Sequence, residues 1–191
     1  MVNINDLQDS YNRISKYLVT TPILQSEILN KEFNADIYLK NEVEQLTGSF
    51  KIRGALSALS KLKEDGIEGV VAFSSGNHAQ GVSKAAQIFD MKATIVMPED
   101  APLNKIEKTK SNGAEVILYK RHIESREKIA EQISLERGFP LVKPFDNEYI
   151  IAGQGSFGLE ACQFFMGSNI KPDIVLSCTS GGGLVAGTSI A

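Results

Sequence analysis

The chain has 191 residues, 42% hydrophobic and 23% charged, with a formal net charge of −3. This is the composition of a soluble globular protein, with enough chain for one good hydrophobic core or two small ones. Its basic residues alternate with acidic ones, as in "EKTK" and "ESREK", which excludes the clustered basic face that a nucleic-acid partner would need.

The N-terminal "MVNINDLQDS" lacks a signal peptide's apolar core, and no apolar run is long enough to cross a bilayer, so no membrane partner and a cytoplasmic location are expected. Leu7, Tyr11, Ile14 and Leu18 form one stripe of an amphipathic helix over 5–18, which Pro22 breaks. "ADIYLK" (35–40) predicts a short strand, and "NEVEQLTGS" predicts a polar loop. A helix from Phe50 carries Ala55, Leu56, Leu59 and Leu62 on one side and stops at Gly66 and Gly69. "VVAF" (70–73) is a continuous apolar run, as in a strand covered on both faces. After "SSGN" a helix turns Val82, Ala85, Ala86 and Phe89 inward, and "ATIVM" (93–97) gives the next strand. A helix near 103–111 leads to the strand "EVILY" (115–119), and a helix near 123–137 carries Ile123, Ile129, Ala130 and Ile133. "LVKPF" (141–145) predicts a further strand. A helix around 155–166 then precedes the strand "DIVLSC" (173–178) and "TSGGG". Strands alternating with helices specify the α/β class, with parallel sheets and helices on both faces. Cys162 and Cys178 form neither a CxxC pair nor a zinc spacing, so they are expected as buried thiols, and no metal site is expected.

Three loops are chemically alike, each small, polar and placed where a helix begins. In open α/β sheets such loops gather at the carboxyl ends of the strands, where ligands bind. "TSGGGLVAG" (179–187) follows a strand and opens a helix. Its glycines let several backbone N–H groups converge on one anion, and the helix dipole adds to the attraction. A plain tight turn is the alternative reading. "SSGNHAQG" (74–81) is either a helix start capped by Ser75 or Asn77, or an anion site for a carboxylate. "GSFKIRGA" (48–55) places Lys51 at a helix start. A solvated lysine there has no chemistry, but a desolvated one has a lowered pKa and forms imines with aldehydes.

A phosphate cradle, a carboxylate loop and an imine-forming lysine together suggest pyridoxal 5′-phosphate. "LKNEVEQLTGSFKIRGA", "FSSGNHAQGVSKAA", "IAGQGSFGLE" and "SGGGLVAG" resemble, in order, the signature segments of the serine/threonine dehydratase and serine racemase family, which are fold-type II pyridoxal-phosphate enzymes. The resemblance runs through essentially the whole chain. It implies a tryptophan-synthase-β-like fold, with 50–145 as a complete small domain and 1–49 with 146–191 as part of a large one, the family's chains being longer at the C-terminal end. It also implies a role for each matching residue. Lys51 condenses with the cofactor aldehyde and serves as catalytic base, and Phe50 packs beside the ring. Asn77 bonds the 3′-oxygen, and Ser180, Gly181, Gly182, Gly183 and Leu184 cradle the phosphate. Ser74, Ser75, Gly76, Asn77 and His78 receive the substrate carboxylate, with Ser75 a second acid/base in racemases, and Gly153 to Ser156 lie near the cleft. The implied activity is ammonia-lyase chemistry on L-threonine or L-serine, with serine racemisation as its nearest variant or a non-catalytic binding module as the alternative. The implied partners are a small amino acid and either a second copy of the chain or a C-terminal half. All of it requires a cavity between the Lys51 amine and the 180–184 loop large enough for a small aromatic ring.

Overall fold

The computed structural model describes residues 1–191. Helix α1 (Ile4–Ile14) starts from a capping box. The Asn3 side chain accepts from the Asn5 and Asp6 amides, and Asp6 accepts in return from the Asn3 N–H. Beyond Pro22 come strand β1 (Ile23–Gln25) and helix α2 (Glu27–Phe33), neither expected from the sequence, and strand β2 (Tyr38–Lys40), which lies within the strand expected at 35–40 and pairs antiparallel with β1. Strands of three residues are too short for an alternation to register, so β1 and the helix beside it leave no periodic mark in the sequence.

Helix α3 (Lys51–Glu64) leads into strand β3 (Gly69–Phe73), helix α4 (Asn77–Ile88), strand β4 (Lys92–Pro98), helix α5 (Leu103–Ser111), strand β5 (Glu115–Tyr119) and helix α6 (Arg126–Arg137). The strands form a parallel sheet in the order β3-β4-β5. Val70, Ala72, Ala93, Ile95 and Met97 share one core with Ala79, Val82 and Ala85 of α4. Val71 and Val96 point the other way, onto Tyr119 and onto Ala130 and Ile133 of α6. Both faces of β3 and β4 are therefore dry, and this is the physical origin of their unbroken apolar runs in the sequence. Helix α7 (Glu148–Gly167) and helix α8 (Gly183–Ile190) complete the chain.

Several expectations are corrected. The 141–145 strand reduces to one parallel bridge, Leu141 with Val71, because Pro144 has no N–H to extend the ladder. The 173–178 strand does not form. Ile174, Val175 and Leu176 are exposed, and no strand lies beside them to take their backbone groups. Cys178 is exposed with that segment, and Cys162 is exposed on α7, so neither thiol is buried. Ile123 is also exposed, since α6 starts only where Ser125 caps it. Helix α7 begins at Glu148 rather than near 155, because the Asn147 side chain accepts from the Ile150 N–H.

The stretch Gly153 to Ser156 is buried within α7 and does not line a cleft. A Cβ on Gly153 would come within 2.6 Å of the Arg53 carbonyl oxygen, and one on Gly187 within 2.5 Å of the Gly155 nitrogen. These small residues let α7 press directly onto α3 and α8. Helix α7 thereby joins the two segments that carry Lys51 and the glycine loop.

Candidate active site

Lys51 is the first residue of α3, and the glycine loop is the entry to α8. Between them lies a cavity of about 200 Å³. Phe50 and Lys51 line one side, Cys178 to Leu184 a second, and Phe145 a third. This is smaller than the ~300 Å³ at which pockets for drug-sized ligands begin, and it suits one small substituted ring rather than a dinucleotide.

The amine end is defined by three groups. Lys51 Nζ donates to the Pro144 carbonyl oxygen at 2.8 Å and lies 5.4 Å from the centroid of the Phe50 ring. Burial lowers the pKa of this amine, with Cys178 opposing the shift. Desolvation thus favours the neutral, nucleophilic form.

The opposite end is backbone. Gly182 has φ of +88°, a conformation that a side chain would strain. A Cβ on Gly181 would fall 2.1 Å from the Phe145 ring, so the loop and Phe145 fit only because position 181 is bare. Helix α8 has no side-chain cap, which leaves the N–H groups of its first turn open toward an anion.

Caps are distributed unevenly through the fold. Asn3, Ser26, Ser125 and Asn147 cap α1, α2, α6 and α7. Helices α3, α4 and α8, which begin at the three singled-out loops, have no side-chain cap, and of the rest only α5 lacks one. The expected cap by Ser75 or Asn77 is absent. Gly76 stands at the cap position of α4, Ser74 Oγ accepts from the Gly76 N–H, and Asn77 Oδ1 accepts from Lys105 Nζ at 2.9 Å. The first turn of α4 therefore also keeps open donors suited to a carboxylate.

Phe50, Lys51, Ser180, Gly181, Gly182, Gly183 and Leu184 meet at one cavity, whereas Ser74, Ser75, Gly76, Asn77 and His78 do not line it. The link between the two groups is the strap at 141–145. His78 Nε2 pairs with the Val142 carbonyl oxygen at 3.1 Å, two residues before the carbonyl that holds Lys51. Thr179 opens the loop that the sequence singles out, whereas Phe145 and Cys178 are site residues that sequence reasoning misses. Phe145 ends "LVKPF", which the sequence offers only as a strand, and Cys178 falls in the segment expected as a strand.

His78 is buried, and its pKa falls to about 4, chiefly through desolvation and secondarily through the Lys51 charge, against the Val142 bond. The unfolded imidazole titrates near 6.5, so between about pH 6.5 and 4 the unfolded chain binds the extra proton. Stability is therefore full above pH 6.5 and is expected to fall by roughly 3 kcal/mol as the pH drops toward 4. Urea midpoints measured across this range should show the slope in the parent protein and a flattened one in His78→Gln.

Residues 14–191 match the family model described as "Pyridoxal-phosphate dependent enzyme". The chain is 44% identical to L-threo-3-hydroxyaspartate ammonia-lyase of Saccharomyces cerevisiae, covering 97% of this chain and 56% of that protein. It is 41% identical to serine racemase of Schizosaccharomyces pombe, covering 98% of this chain and 57% of that protein. The structure of maize serine racemase superposes with a TM-score of 0.92 at 34% identity, over 99% of this chain and 56% of that one. The chain thus spans somewhat more than half the length of these proteins.

Proposed function

The chain belongs to the pyridoxal-phosphate dependent enzymes, and from that premise we propose that it is part of, or constitutes, an ammonia-lyase converting L-threonine or L-serine to a 2-oxo acid and ammonia. One observation carries this reading: a desolvated lysine amine faces a glycine-rich helix start across a single ring-sized cavity. The residues present fit the family's cofactor, with a bare loop and uncapped α8 for the phosphate, Phe50 for the ring face and Lys51 for the aldehyde.

When bound, pyridoxal phosphate supplies an aldehyde carbon for a primary amine and a ring that disperses negative charge from the substrate's α-carbon. The rest falls to the protein. Ser180 to Leu184 would hold the phosphate through backbone N–H groups, and Asn77, outside the cavity lining here, would serve the ring's 3′-oxygen through its side-chain amide. The open amides of α4, with Ser74 and Ser75, hold the substrate carboxylate and so orient the α-carbon. Lys51, with its amine free, would take the α-proton, for which its lowered pKa suits it. In this reading 50–145 form the small domain, 1–49 and 146–191 contribute to the large one, and the cavity lies at their junction. The exposed run Ile174–Leu176 supports pairing with a second copy or with further polypeptide.

Racemisation is the nearest variant, supported by the likeness to the S. pombe enzyme. Ser75 would then be the second proton carrier. The purified protein, supplied with pyridoxal phosphate, should release 2-oxo acid and ammonia from L-threonine or L-serine. L-threo-3-hydroxyaspartate and chiral analysis of recovered serine complete the assay. Release of 2-oxo acid only from hydroxyaspartate would reassign the substrate, and D-serine without 2-oxo acid would reassign the reaction. Neither product from any substrate would overturn the enzymatic reading.

A further inference from the structure

Arg53 follows Lys51 by two residues in the first turn of α3, and its side chain has no exposed surface. A guanidinium has five N–H donors, and here every one is used. Nε and Nη2 grip Glu42 at 2.7 Å each, Nη1 and Nη2 grip Glu160 at 2.8 and 2.9 Å, and Nη1 also donates to Ser156 Oγ at 3.1 Å. Lys40 Nζ joins Glu160 at 2.7 Å and donates to Thr21, whose hydroxyl donates to Glu42 at 2.6 Å. Two cations and two carboxylates balance one another in a nearly dry space.

The partners matter more than the charge count. Glu42 lies in the turn before the loop that delivers Lys51, and Glu160 belongs to α7. Helix α7 is pressed backbone to backbone on α8, at Gly155 and Gly187, and α8 begins at the glycine loop. The start of α3 has no cap of its own. We propose that Arg53 is a positioning residue whose double clamp, acting through α7, sets the spacing between the Lys51 amine and the glycine loop, so that an aldehyde and a phosphate on one small molecule are engaged together. This rests on the reading of Lys51 as the amine that condenses with the cofactor. The planar fork is what makes the clamp specific, since an ammonium cannot grip two carboxylates bidentately.

The test compares pyridoxal phosphate with phosphate-free pyridoxal, reading the visible imine band and mapping the borohydride-fixed adduct by mass spectrometry. Simultaneous engagement of both ends gives the phosphate form an advantage through effective concentration, and that advantage depends on correct spacing. In the parent protein pyridoxal phosphate should react at Lys51 at least tenfold more favourably than pyridoxal. In Arg53→Lys that ratio should fall about tenfold, while Ile133→Ala, a core change on the sheet-facing side of α6, should lower the denaturation midpoint and leave the ratio intact. Should Arg53→Lys not fold, Glu160→Gln, which keeps the shape and removes one charge, should show the same fall. A ratio within twofold of the parent's in a folded clamp variant overturns the positioning role alone. No adduct at Lys51 in the parent protein overturns the reading beneath it as well.

Discussion

Lys51→Ala is expected to abolish both covalent capture of pyridoxal phosphate and any lyase turnover, without unfolding the protein. The amine is the sole lysine nitrogen lining the cavity, and burial holds its pKa below that of free lysine. On the proposed reading, in which this group serves first as nucleophile and then as base, its loss should remove at least the ~10²–10⁴-fold expected for base catalysis alone. Lys51→Arg should fail equally, because a guanidinium retains its proton and cannot condense. Stability should change by no more than about 1 kcal/mol, since the lost bond to the Pro144 carbonyl is offset by release of a partly buried cation from its desolvation cost. In the parent protein, the rate of imine formation should fall about tenfold per pH unit once the pH is below the Lys51 pKa. Borohydride reduction followed by peptide mapping reads capture directly. An adduct persisting at full yield in Lys51→Ala would remove this residue from the mechanism.

Much of this site is legible in the sequence because its chemistry is local. A glycine run, a lysine at a helix start and a serine-rich loop are each written in a few consecutive residues, although only the serine-rich loop follows a strand of the parallel sheet, and it stays outside the cavity that the other two line. The illegible parts depend on meetings between distant segments. Phe145 enters only because Gly181 leaves room for its ring. The Arg53 clamp joins residues 42, 53, 156 and 160, and no periodicity marks any of them as buried partners. The strand expected at 173–178 shows the converse limit. Its composition is right for a strand, yet a strand exists only beside another, and none is there. The motif "IAGQGSFGLE" points toward the chemistry in sequence, whereas its glycines act one step back, by letting helices close.

That difference is open to direct test, because one substitution made on two glycines of the α7–α8 region should act with opposite sign. In Gly187→Ala the new methyl would sit 2.5 Å from both the Gly155 nitrogen and the Ile151 carbonyl oxygen, and 2.8 Å from the Gly155 Cα. All three are backbone atoms of α7, so no side chain can move aside and the helices must part. Overpacking of this kind costs about 1–3 kcal/mol, against a gain in helix propensity of at most about 1 kcal/mol. Gly167, the last residue of α7, has nothing within 4 Å of a built Cβ and a φ outside the left-handed region. There only the propensity and the unfolded-state entropy remain, and Gly167→Ala should stabilise by roughly 0.5 kcal/mol. Urea midpoints give both signs. Because α8 carries the glycine loop, Gly187→Ala should also weaken pyridoxal-phosphate binding several-fold, and Gly167→Ala should leave it unchanged. If both variants are equally stable and bind equally well, the close crossing of α7 and α8 does not exist in solution, and the route from Arg53 to the glycine loop fails with it.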